Sequence, residues 1–167
     1  MPSAGSTATL LNAGAKDYAT WVVGQSEELK TAVTNLKTAI DAGDLAKSKA
    51  AYVNARTFYE KIESDVEGFV MPGFKVGGNK GNLDYLIDMR QSNLDEKVGW
   101  SGFHAIERDL WKTGTIGDGT KKYAADLETN VGKLVDVVKT LTFKPEDLAN
   151  GAAALLEEVQ SNKITGE

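Results

Sequence analysis

A chain of 167 residues, 41% hydrophobic and 26% charged, is long enough for one globular domain with its own core, and it needs neither disulfides nor a structural metal to fold. Its 24 acidic against 19 basic residues give a formal net charge of -5, and no Lys/Arg run is dense enough to neutralise a phosphate backbone, which argues against nucleic acid as a partner. With no cysteine there is no thiolate chemistry, so any metal must be held by nitrogen and oxygen.

In chain order, the first element is an amphipathic helix over 9–42, whose stripe is Tyr18, Val22, Gln25, Leu29, Ala32, Leu36 and Ile40, a three-to-four spacing broken only by Gln25. Gly43 supplies a stop and Asp44 an N-cap, so the chain reverses into a second helix over 45–69 that buries Ala55, Phe58, Ile62, Val66 and Phe69. Between 70 and 100 the pattern fails. Pro72, Gly73, Gly77, Gly78 and Gly81 mark a long connection, with one short helical piece over 83–90. Helical spacing returns over 101–112 and stops at Gly114, Gly117 and Gly119.

Tyr123, Leu127, Val131, Leu134, Val138 and Leu141 make a further stripe, and after Pro145 the run Leu148, Ala152, Leu155, Val159 makes the last. The expected architecture is all-α: an up-and-down four-helix bundle with one long glycine-rich connection and short extra helices. No apolar run approaches the ~20 residues that span a bilayer, so the chain reads as not membrane-spanning. The opening Met1-Pro2-Ser3-Ala4-Gly5-Ser6 lacks the basic and apolar regions of a signal peptide, as a processed exported protein would.

The chemistry concentrates on His104 and Glu107. Three residues apart on a helix, both side chains can reach one ion. Relative to the core stripe Phe103, Ile106, Leu110, Glu107 lies about 40° and His104 about 100° to one side, at the border between core and surface. Taken alone, such a pair is more often a hydrogen-bonded histidine beside a chance carboxylate than two ligands. His104 is the single histidine, which rules out a two-His zinc site within one subunit. A second carboxylate pair, Glu60 and Glu63, has the same spacing on the second helix. It reads either as a facing wall or as a charge ladder with Glu67, Arg56 and Lys61.

The phrases Ala55-Arg56-Thr57-Phe58-Tyr59-Glu60-Lys61-Ile62-Glu63, Leu86-Ile87-Asp88-Met89-Arg90 and Trp100-Ser101-Gly102-Phe103-His104-Ala105-Ile106-Glu107-Arg108-Asp109-Leu110-Trp111 follow one another in an order that resembles the imelysin-like family. The likeness is strongest to its EfeO-type iron-uptake branch, and the closing Lys163-Ile164-Thr165-Gly166-Glu167 also resembles it. The resemblance implies an all-helical, periplasmic or otherwise extracytoplasmic component of iron uptake, working with a membrane permease or other uptake subunits. It matches the family's HxxE motif to His104 and Glu107 and its further metal ligands to Glu60, Glu63, Asp88 and Glu167. It also implies one domain over 1–167, truncated at its C-terminal end, since family members continue beyond the ITGE phrase. The connection over 70–82 is longer and richer in glycine than the family's usual one, which bears on the placement of Asp88.

One imidazole with several carboxylates is a hard, mostly oxygen donor set suited to iron, and also to zinc, manganese or calcium. Two other readings compete with metal binding and transport. One is a metallopeptidase of the imelysin type with Glu107 as general base. The other is a binding module for an anionic polymer or partner subunit, built from Arg56, Arg90, Arg108, Trp100 and Trp111, although both tryptophans read more simply as packing residues.

Overall fold

The structure, a computed structural model, describes residues 4–140. Five helices are described: α1 (Ala4–Asp41), α2 (Leu45–Val66), α3 (Leu83–Asp88), α4 (Phe103–Glu107) and α5 (Asp118–Thr140). No β-strand occurs among the described residues. The all-α class is as expected. The main helix expected after Pro145, with Leu148, Ala152, Leu155 and Val159, and the proposed ligand Glu167 lie outside the described residues.

The stripe of α1 is buried at Val22, Leu29, Ala32, Leu36 and Ile40. The reversal into α2 takes the form expected of Gly43 and Asp44: Gly43 sits at φ 70, and the Asp44 carboxylate accepts from the Lys47 backbone N–H at 2.9 Å, satisfying a helix-end donor. α5 lies on the other flank of α1. Glu27 meets Lys139 at 2.8 Å and Thr34 donates to Glu128 at 2.9 Å, so the two helices run antiparallel. Leu127, Val131, Leu134 and Val138 close the core from the α5 side, each apolar side chain contributing about 1.5–3 kcal/mol on burial.

α2 differs from the expected helix in two respects. It ends at Val66, because Glu67 leaves the helical region and Gly68 turns at φ 79. Its fully buried aromatic is Tyr59, while Phe58 is only partly buried. Tyr59 wins the core position because its hydroxyl is satisfied there, donating to Asp84 at 2.6 Å.

The long connection is tied down at several points. Val70 and Asn82 form an isolated antiparallel bridge, with Met71 donating to Gly81 and Leu83 to Phe69, each at 2.8 Å. Asn82 caps α3 through the Tyr85 N–H at 3.2 Å. The Tyr85 hydroxyl in turn accepts from the Asp95 N–H at 2.7 Å. α3 and α4 each contact both α2 and α5, so the excursion supplies two short helices that bridge the long ones. After Glu107 the helix widens into a π-helical turn, Arg108–Thr113, a feature often found beside functional sites.

Burial also leaves a mark where α1 meets α2. Tyr18 donates to Asp65 Oδ1 at 2.7 Å, while Asp65 Oδ2 is buried without a hydrogen-bond partner. Burial raises the Asp65 carboxyl above its ordinary 3.8, and the Tyr18 hydrogen bond opposes this only in part. The folded chain therefore holds this proton to a higher pH than the unfolded chain does, and Asp65 contributes stability that is gained as pH falls through the raised value and lost as pH rises. Asp65→Asn removes the titration. In urea unfolding, the wild type is expected to gain on the variant between pH 7 and pH 4; a gap that stays constant would show that Asp65 titrates alike in both states.

Candidate metal centre

The centre is built where the C-terminal end of α3 meets the start of α4. α3 is fixed against α2 by the Tyr59–Asp84 hydrogen bond and by burial of Leu83 and Ile87, which turns Asp88 inward with its side chain only 5% exposed. α4 is held on α3 by two contacts. The Ser101 hydroxyl donates to Leu86 O at 3.0 Å. Gly102, at φ 83 and ψ -160, lies so close to α3 that a Cβ on it would stand 2.1 Å from Ile87 O. This close approach sets His104 beside Asp88.

His104 lies between two carboxylates. Its Nδ1 is 2.7 Å from Glu107 Oε2, and its Nε2 is 3.2 Å from Asp88 Oδ1. The second contact is an ion pair when the ring is protonated. Nε2 is itself buried, so Asp88 is the group that it meets. Asp88 raises the His104 pKa above its ordinary 6.5, with burial opposing and Glu107 assisting. Burial pushes the Asp88 carboxyl up, yet His104 and Arg56 outweigh it and hold Asp88 below the usual carboxylate value.

Arg56 is the residue whose place the sequence did not reveal. Read there as part of an anion-binding face, it is instead largely buried, with its side chain 14% exposed. Its Nη1 donates to Asp88 Oδ1, its Nε lies 3.4 Å from Glu60 Oε1, and its guanidinium stands over the rings of Tyr59 and Phe103 at 5.5 and 5.3 Å. The one local signal in the sequence was the Arg56–Glu60 spacing of four on one helix, that of an ion pair; the Asp88 partner, 32 residues later, had none.

Of the residues singled out in the sequence, Asp88, His104 and Glu107 form one contiguous chain of contacts, and Glu60 joins it through Arg56. Glu60 is mostly exposed, at 61% of its side chain. Glu63 is half-buried one turn further along α2 and lies near enough to act electrostatically on Tyr59. Among the described residues, no three His, Asp or Glu side chains converge as a formed metal site; Arg56 occupies the Asp88 carboxylate instead. On the outer side of His104 and Glu107 opens a cleft of about 400 Å3, walled by Trp100 and Trp111. The expectation that the tryptophans are packing residues holds in part. Trp111 meets Tyr52 edge-on at 5.1 Å yet is 45% exposed, and Trp100 carries the Arg108 guanidinium at 4.5 Å.

Residues 14–167 match the family model of imelysin, a peptidase M75 grouping. The iron uptake system component EfeO of Escherichia coli O1:K1 / APEC is 36% identical over 153 residues, covering 90% of this chain. The components of the same name from Escherichia coli strain K12 and from Shigella flexneri are 35% identical over 153 residues, again covering 90% of it. The chain spans 38% of the length of these curated relatives.

Proposed function

This chain belongs to the imelysin family, and from that premise we propose that it is a non-enzymatic metal-binding component of an extracytoplasmic iron-uptake system, with Fe2+ or Fe3+ as its cargo. The observation that carries the reading is the convergence of the His104 ring on the buried Asp88 carboxylate, Nε2 to Oδ1 3.2 Å, with both groups at the border of the core. Glu107 supports the same reading from the other side of the ring. It stands 2.7 Å from Nδ1, where it accepts an Nδ1–H and leaves Nε2 for a cation once the ring proton that Asp88 favours is released, the arrangement that orients histidine for a metal.

In this reading His104 and Asp88 are the inner ligands, and Glu60 and Glu63 on α2 form the opposite wall. Glu107 orients the ring, and Glu167 is a further ligand from the chain end. Such a donor set is hard and anionic, fitting iron and also manganese, zinc or calcium. Binding requires the cation to replace Arg56 at Asp88, so release is as simple as the return of Arg56. That suits a protein that hands its cargo on. The names of the relatives, each an iron uptake system component, favour iron. Among the described residues no helix is long and apolar enough to cross a membrane; in this reading the cargo passes to a membrane permease or another uptake subunit.

His104→Ala is expected to weaken Fe2+ binding at least tenfold, and Glu107→Gln by about tenfold through the loosened ring, in anaerobic isothermal titration. Unchanged affinity in His104→Ala would remove the ring from the site. The family's peptidase designation gives the rival reading its test: casein should remain uncut with or without chelator, and chelator-sensitive cleavage would make Glu107 a general base.

A further inference from the structure

We propose that the cleft beside His104 receives the chelator of the incoming metal, a small anionic polycarboxylate, so that the cargo is bound as a chelate rather than as a bare ion. This rests on the reading of His104 as a metal ligand. The cleft shares His104 and Glu107 with the candidate centre, and the rest of its lining has a different chemistry: Arg90, Arg108 and Lys112 are cationic and the two tryptophans supply its walls.

Two of the cations are uncommitted. Arg90 and Lys112 are exposed, and neither has an ion pair among the described residues, whereas Arg108 is bound to Asp109 at 2.9 Å and laid over Trp100 at 4.5 Å. In a chain of net charge -5, unpaired cations gathered on one cleft make a local anion-attracting field. His104, Glu107, Arg108, Trp111 and Lys112 fall at three-to-four spacing along α4 and its π-helical continuation, so one helix face carries both the metal-binding ring and the anion-binding cations.

The bare ion does not need these cations, which would repel it. A chelate with surplus carboxylates does. Arginine pairs such carboxylates through its planar fork and lysine as a point charge, and about 400 Å3 is the size of a small-molecule site. The chelator's carboxylates would rest on Arg90 and Lys112 while the ion faces His104.

The test compares Fe2+ alone under anaerobic conditions, citrate alone, ferric citrate and polygalacturonate, read by calorimetry and by tryptophan fluorescence in a Trp21→Phe background, which leaves Trp100 and Trp111 as the emitters. Arg90→Gln/Lys112→Gln, two exposed changes, should leave the affinity for Fe2+ alone unchanged within about twofold and lower that for ferric citrate at least tenfold, the scale of losing charge-assisted contacts. His104→Ala should weaken both. Ferric citrate binding that survives in the double variant overturns the proposal, as does metal-independent binding of polygalacturonate that excludes ferric citrate. Fe2+ binding that is unchanged in His104→Ala overturns the metal-site reading alone, because the double variant still reports on the cleft.

Discussion

Gly102→Ala is expected to lower stability by about 3 kcal/mol and to abolish metal binding with it. Two costs combine. Gly102 lies at φ 83 and ψ -160, a region essentially restricted to glycine and costing about 1–3 kcal/mol for other residues. The added Cβ would also meet Ile87 O at 2.1 Å and Leu86 O at 2.8 Å, backbone atoms that cannot rotate away, so α4 must move off α3 at a further cost of about 1–3 kcal/mol. Gly99→Ala separates the two. Gly99 is at φ 88 with nothing within 4 Å of an added Cβ, and its substitution should cost only about 1–2 kcal/mol of strain. Urea unfolding at constant slope measures both variants. If Gly102→Ala falls no further than Gly99→Ala, the packing of α4 on α3 is soft and does not fix His104.

That junction marks the limit of what periodicity can carry. The long helices, the Gly43–Asp44 reversal and the short helix at 83 were legible because each depends on residues within a few positions of one another: apolar spacing, a left-handed glycine, a capping carboxylate. Tyr59 was not preferred over Phe58, since its advantage is a hydroxyl partner 25 residues later in sequence. The role of Gly102 lay hidden for a similar reason. It stood in view inside the phrase around His104, but its need for a missing Cβ comes from the carbonyls of another element. Asp88 entered only through the likeness to a family, on the least secure alignment, and the structure sets it against His104 at 3.2 Å.

Arg56 is the most informative residue of the centre, because its removal should move stability and metal affinity in opposite directions. In the absence of metal its guanidinium compensates Asp88, whose side chain is 5% exposed; Arg56→Met leaves that carboxylate buried with only the His104 ring beside it, and breaking one side of such a pair costs about 3 kcal/mol. The same change takes away the cation that an incoming metal must displace. Fe2+ affinity is therefore expected to rise at least tenfold, and saturating metal should lift the unfolding midpoint further in Arg56→Met than in the wild type, since bound ligand stabilises in proportion to the logarithm of its concentration over Kd. Affinity falling together with stability would make Arg56 part of the scaffold that aims Asp88. Affinity unchanged while stability falls would mean that Asp88 never touches the metal, and the site would have to be sought on the Glu60 and Glu63 side of α2.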